Sequence, residues 1–179
     1  MFYKTTYPSP IGLMTLACDE TSLVGLWFEN QKYFGGTISQ AMSEKGDFPI
    51  FDVTKKWLDR YFGGGKPAIS ELPVEPTGGD FRQVVWGILC EIPYGEVTTY
   101  GEIARKAAAK MGRERMSGQA TGGAVGHNPI SIIIPCHRVV GANGSLTGYA
   151  GGLDKKIKLL RHEGVDVDRL FVPTHGTAL

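Results

Sequence analysis

Cysteine is scarce in this 179-residue chain: Cys18, Cys90 and Cys136 are the only three. An odd number cannot all pair within the chain, and none falls in a CxxC or zinc-type spacing. A disulfide scaffold is excluded, and reduced thiols, one of them free to react, are expected. Residues 1–79 contain a single cysteine and no histidine, so no zinc or other metal is expected there. Long apolar runs are missing too; all fall short of the roughly 20 residues that span a bilayer. Met1-Phe2-Tyr3-Lys4 does not open a signal peptide. A cytoplasmic protein with no membrane partner is expected. Neither a dinucleotide GxGxxG nor a P-loop occurs, and no cofactor is expected. No repeat or low-complexity tract interrupts the chain. Its 42% hydrophobic and 21% charged content is that of an ordinary globular protein, long enough for one large domain or two small ones.

The net charge of +1 hides an asymmetry. Residues 1–79 carry 7 basic and 9 acidic side chains, whereas residues 80–165 carry 11 basic and 7 acidic. Between Ile103 and Gly141, Arg105, Lys106, Lys110, Arg113, Arg115 and Arg138 face Glu114 alone. A basic patch suits a polyanion, because each phosphate neutralised releases counterions. The same charges would equally serve as a solvated helix face.

The first half reads as β-rich. Tyr3–Thr6, Gly12–Ala17 and Ser22–Phe28 are short apolar or β-branched runs punctuated by Pro8, Pro10 and Asp19-Glu20. Asp52 is expected to cap a helix over Val53–Phe62 that stops at Gly63-Gly64-Gly65. Lys66–Gly79, with three prolines, reads as an extended connection. The domain boundary is placed there, giving an N-terminal α/β domain over 1–78, a second domain over 79–165 and a tail over 166–179.

The second half is mostly helical. Phe81, Val84, Val85, Ile88 and Leu89 follow an amphipathic period that ends near Pro93. Thr99 and Glu102 form a capping box opening a helix to about Met111. Ser117 is the N-cap of a short helix ending near Asn128-Pro129, and the two helices make a helix-turn-helix candidate. Ala120, Gly122, Gly123, Ala124 and Gly126 strip that second helix of bulk, although each interior glycine costs about 1 kcal/mol relative to alanine. Either another helix packs tightly on it, or an outside molecule must approach its backbone. Ile130–Ile134 is expected as a buried strand, Gly141–Gly144 as a turn, and Asp154–Glu163 as a final helix followed by Gly164.

Chemistry concentrates at Ile134-Pro135-Cys136-His137-Arg138-Val139. Pro135 lacks the N–H a strand ladder needs, so Cys136 is expected where the pairing stops. A free thiol is only a few per cent ionised at neutral pH and needs help to act as a nucleophile. His137 and Arg138 put a base and a fixed positive charge beside it. Because neighbouring strand residues face opposite ways, His137 reaches the sulfur only if the chain turns or through water. Glu163 is a plausible partner to orient the imidazole. The bland alternative is a cysteine buried as a small hydrophobe.

These segments carry a resemblance. Asn128-Pro129, Ile132–Val140, Gly148-Tyr149, Gly151-Gly152-Leu153 and Leu159-Leu160-Arg161-His162-Glu163-Gly164 resemble the O6-alkylguanine-DNA alkyltransferase family, the methylated-DNA–protein-cysteine methyltransferases. Ile92-Pro93-Tyr94-Gly95-Glu96-Val97, followed by Thr99-Tyr100, resembles it as well. The likeness covers about Phe81–Gly164; the N-terminal part agrees in size and β-rich character only.

The resemblance implies an α/β (α+β) fold, with a small N-terminal ribonuclease-H-like sheet domain and a C-terminal winged helix-turn-helix domain. It implies direct DNA repair: an alkyl group on O6 of guanine, with O4-alkylthymine as a second candidate lesion, moves irreversibly to Cys136. The thioether formed cannot be cleaved, so one turnover per molecule is expected. His137 and Glu163 match the activating relay, and Asn128 the link from the helix-turn-helix to the active-site turn. Tyr100 matches the residue that assists base flipping and donates to the departing base. Val125, Val139, Tyr149 and Ala150 match the pocket, the Ala150 N–H binding O6. Gly122, Gly123 and Gly126 belong to a recognition helix laid in the minor groove of double-stranded DNA, with Arg115 and Ala142 among the DNA contacts. A monomer is expected.

Where the family has an arginine that enters the duplex behind the flipped base, this chain has Gln119. Gln119, or Arg113 or Arg115, would take that role. Two rivals follow from the same residues: an alkyltransferase-like lesion binder, against which the presence of Cys136 counts, and a cysteine hydrolase, which would need an oxyanion hole and a base from a distant segment.

Overall fold

A computed structural model describes residues 1–174. Three strands, β1 (Phe2–Ser9), β2 (Gly12–Cys18) and β3 (Leu23–Phe28), the last buried throughout, form antiparallel neighbours. A short β4 (Met42–Glu44) joins β1 in parallel, so the sheet order is β3-β2-β1-β4. Helix α1 (Pro49–Phe62) covers one face and buries Phe51, Trp57, Leu58 and Tyr61 against it.

Helix α1 begins three residues before the expected Asp52 cap. Proline at the first helical position presets φ and has no amide to satisfy there, so Pro49 starts the helix and Asp52 lies in its first turn. The connection over 66–79 is extended, as expected from its prolines, but contains a 3₁₀ turn at Ile69–Glu71 and one bridge, Leu23 to Val74.

Helices α2 (Asp80–Leu89), α3 (Tyr100–Lys110) and α4 (Gly118–Gly126) pack on one another. The Trp86 indole N–H donates to the Ala124 carbonyl at 2.9 Å and fastens α4 to α2. Ser117 caps α4, accepting from the Ala120 amide. At α3 only half of the capping box forms. Thr99 accepts from the Glu102 amide, but the Glu102 carboxylate turns to Arg105 instead of back to Thr99. Strands β5 (Thr98–Thr99) and β6 (Val139–Val140) pair in parallel beside α3, and α5 (Leu153–His162) closes the second half.

The expected strand over Ile130–Ile134 does not form. Ile130 makes a single bridge with Leu26, after which the chain coils, with Ile132 at φ +71°. The Asn128 side chain bonds the Ile130 amide and the Ile134 carbonyl, taking groups that a strand ladder would need. The segment is nonetheless buried, as its apolar run requires. Pro135 therefore leads into a 3₁₀ turn, Cys136–Arg138, rather than off a strand end.

Candidate active site

The 3₁₀ turn at Cys136–Arg138 sets adjacent side chains on different neighbours. Asn128, just past the C-terminal end of α4, donates through Nδ2 to Sγ of Cys136 at 3.1 Å and to the Ile134 carbonyl at 2.8 Å. His137 Nε2 lies 2.8 Å from Oε1 of Glu163, the residue following α5. A carboxylate only accepts, so Nε2 carries the proton and Nδ1 has its lone pair free; Nδ1 is buried and has no protein partner. The chain thus supplies a neutral imidazole with a buried basic nitrogen on the residue next to Cys136.

Glu163 is fully buried and receives five donors. His137 Nε2, Arg138 Nη2 and the Tyr61 hydroxyl each donate to Oε1 at 2.8 Å; Oε2 accepts from Arg138 Nε at 2.8 Å and from the Gly95 amide at 3.4 Å. Burial opposes its ionisation, but the bonds from His137 and Arg138 outweigh it and hold the carboxyl well below the usual range. Arg138 is therefore committed to Glu163 and to the Ile92 carbonyl rather than to DNA or to the thiol. Burial keeps His137 below its ordinary value, against the pull of Glu163. It pushes the Cys136 thiol up, against the Asn128 bond and the Lys156 charge. A resting thiol with a free base is the result.

A pocket of about 230 Å³ opens over Cys136. Tyr100, Gly122, Gly123, Val125, Gly126, Tyr149 and Ala150 line it together with Cys136, which is 6% exposed. Val139 does not line it: pairing with Thr98 in β6 turns it into the core. Gln119, Arg115 and Ala142 are exposed outside the pocket. Of the basic patch, Arg105 pairs with Glu102, and Lys106 and Lys110 pair with Glu91. Among the described residues Arg113 and Arg115 make no ion pair. Nor does any group of three or more His, Cys, Asp and Glu side chains there suit a metal ion.

The glycines of α4 are not demanded by packing. A Cβ built on Gly118, Gly122, Gly123 or Gly126 would meet nothing within 4 Å. The alternative of a tightly packed neighbouring helix is thereby removed, and a bare helix surface faces outward beside the pocket.

Sequence reasoning missed three contributors. Lys156 is fully buried on α5, its ammonium donating to the carbonyls of Val139, Thr147 and Gly148 at 2.5, 3.1 and 3.2 Å. Burial lowers it to about 8, against the attraction of Cys136. With the Tyr100 hydroxyl, 3.0 Å from the Thr147 carbonyl, it anchors the base of the loop that carries Tyr149. Its position was readable, since Lys156 falls on the apolar stripe Leu153, Ile157, Leu160. Tyr61 and the segment Gln31–Tyr33 had no such signal, lying about a hundred residues from their partners.

The model of the 6-O-methylguanine DNA methyltransferase DNA-binding domain matches residues 80–165, and that of the family's ribonuclease-like domain matches residues 2–76. The chain is 39% identical over 163 residues to a methylated-DNA–protein-cysteine methyltransferase of Haemophilus influenzae, covering 91% of this chain and 87% of that one. It is 43% identical to the Methanosarcina acetivorans protein of the same name, covering 90% and 98%. Mycobacterium tuberculosis O6-methylguanine methyltransferase superposes with a TM-score of 0.76 at 38% identity, covering 98% and 97%. A structure of the M. tuberculosis protein in complex with DNA gives 0.77 at 38%, covering 94% of each chain. Sequence and fold agree: this chain belongs to the 6-O-methylguanine DNA methyltransferase family.

Proposed function

We propose that this chain repairs DNA by moving a methyl or other alkyl group from O6 of guanine onto Sγ of Cys136, once per molecule. The observation that carries the reading is the thiol itself, at the base of a pocket large enough for a purine and followed in the chain by an imidazole with a free nitrogen. Sulfur forms a bond to the alkyl carbon as the carbon–O6 bond breaks, and its electrons pass to the base. The thiol proton goes to His137 Nδ1 through water; Glu163 stabilises the imidazolium. Tyr100 stays protonated, pushed by burial up to about 12, and its hydroxyl turns from the Thr147 carbonyl to donate to the departing base. Overall, guanine gains the proton that the thiol gives up.

The lesion would reach the pocket only when turned out of the duplex, at a cost of a few kcal/mol. Helix α4 laid in the minor groove would bring Gly122, Gly123 and Gly126 against the DNA backbone, with Arg113, Arg115 and Ala142 at its margins and Gln119 entering behind the flipped base. Val125, Tyr149 and the Ala150 amide would hold the guanine. A monomer suffices, and a reducing compartment such as the cytoplasm keeps the thiol available.

Incubation with duplex DNA containing O6-methylguanine tests this by intact-protein mass. One methyl is expected on the wild type, on the peptide containing Cys136, and none on Cys136→Ser. Repeated turnover with an unmodified Cys136 would overturn the reading; binding without transfer would support the lesion-binder alternative.

A further inference from the structure

The pocket has a wall that comes from the other half of the chain. Three consecutive residues after β3 each reach a different segment around Cys136. Gln31, buried, accepts through Oε1 from the Ser131 hydroxyl at 3.0 Å. The Lys32 amide donates to the Ala150 carbonyl at 3.0 Å, in the loop that carries Tyr149. The Tyr33 ring stacks on that of His127 at the end of α4, with centroids 3.8 Å apart and planes 21° apart. Lys32, Tyr33 and His127 all line the pocket.

Tyr33 is an expensive choice for this position. Its φ of +62° lies in the left-handed region, where glycine or asparagine would sit with less strain. Its side chain is 43% exposed, so burial in a core does not explain it. His127 is held in turn: its Nδ1 donates to the Gly123 carbonyl at 2.6 Å, which fixes the ring plane against Tyr33. The Lys32 ammonium lies 5.0 Å from the centre of the Tyr33 ring.

We propose that the Tyr33–His127 ring pair is a size-limiting wall of the lesion pocket, setting how bulky an O6-alkyl group this chain accepts. The inference rests on the reading of Cys136 as alkyl acceptor. Small groups fit without moving the rings. Larger ones require Tyr33 to swing off His127, losing the offset stack that holds aromatic pairs together. The Gln31 and Lys32 contacts prevent the turn from yielding as a whole.

The test is a pair of single-turnover rate constants for the wild type, Tyr33→Ala, Tyr33→Phe and His127→Ala. The substrates are identical duplexes carrying O6-methylguanine or O6-benzylguanine. The benzyl-to-methyl rate ratio is expected to rise fivefold or more in Tyr33→Ala and in His127→Ala, and to stay within twofold of wild type in Tyr33→Phe. A general loss of folding or of DNA affinity would move both rates together and leave the ratio alone. A ratio unchanged or lowered in Tyr33→Ala overturns the wall; should that variant not fold, the same result in His127→Ala does so. Failure of the wild type to carry methyl on Cys136 would instead remove the reading on which the wall stands.

Discussion

The hydroxyl of Tyr61, on a helix of the N-terminal half, donates to Oε1 of Glu163 at 2.8 Å, on the carboxylate that also orients His137. The sheet half is thus more than a support for the helical half; it supplies one of the hydrogen-bond donors to the buried carboxylate. Tyr61→Phe is expected to lower stability by about 1–3 kcal/mol, the usual cost of removing a bond to a charged group. Transfer should slow by less than tenfold, since His137 and Arg138 remain. Urea denaturation and a single-turnover assay check both.

Glu163→Gln removes the charge facing Arg138 and His137. Breaking a buried ion pair on one side costs about 3–5 kcal/mol. Loss of the oriented imidazole should slow alkyl transfer by roughly 10²-fold or more, the lower range for a positioned acid–base group. Equal transfer rates for this variant and the wild type would remove Glu163 from the relay.

Acid should destabilise the fold through two groups acting in the same direction. Glu163 is held well below its unfolded value of 4.5, so its contribution is complete above that value and is lost as pH falls through the folded one. His137 is kept neutral by burial; below its unfolded value of 6.5 the unfolded chain takes a proton that the native chain resists, and stability declines there too. The urea midpoint is expected to fall steadily from about pH 6.5 downward. A flat midpoint between pH 7.5 and 5 would contradict the buried, neutral assignment of His137.

Lys156→Met keeps the length and volume of the side chain but removes a bond to the Val139 carbonyl, two bonds to the loop carbonyls of Thr147 and Gly148, and a positive charge near the thiol. The loop over 147–152 should lose amide protection in hydrogen exchange. Transfer should slow by about tenfold or more, in proportion to the positioning that a rigid loop provides. Unchanged protection would show that Tyr100 alone anchors the loop.

Gly123→Ala should separate stability from binding. With nothing within 4 Å of the added methyl, the helix should gain roughly 0.5–1 kcal/mol. Affinity for duplex DNA should fall, because the methyl would stand between α4 and the approaching backbone. A gain in stability with unchanged DNA affinity would mean that this face of α4 does not meet DNA.

Local signals located most of the elements. Short apolar and β-branched runs between turn residues placed β1 to β3, the 3.6-residue period placed α2, and Ser117 and Thr99 marked helix starts where the structure has them. The misreadings fall where one residue's chemistry outvoted its neighbours. Pro49 started α1 ahead of Asp52, and Asn128 took the backbone groups that Ile130–Ile134 would have offered a strand.

Residue order alone was enough to single out one thiol with a neighbouring histidine, a carboxylate to partner it, and a helix stripped of bulk, because those are properties of short stretches. Only the folded chain decided that Arg138 serves Glu163, that Lys156 holds the loop, and that Tyr61 and Tyr33 reach across to the site. Such contacts close loops of a hundred residues, and no local pattern records them; they exist because two separately patterned halves bury their apolar faces against each other.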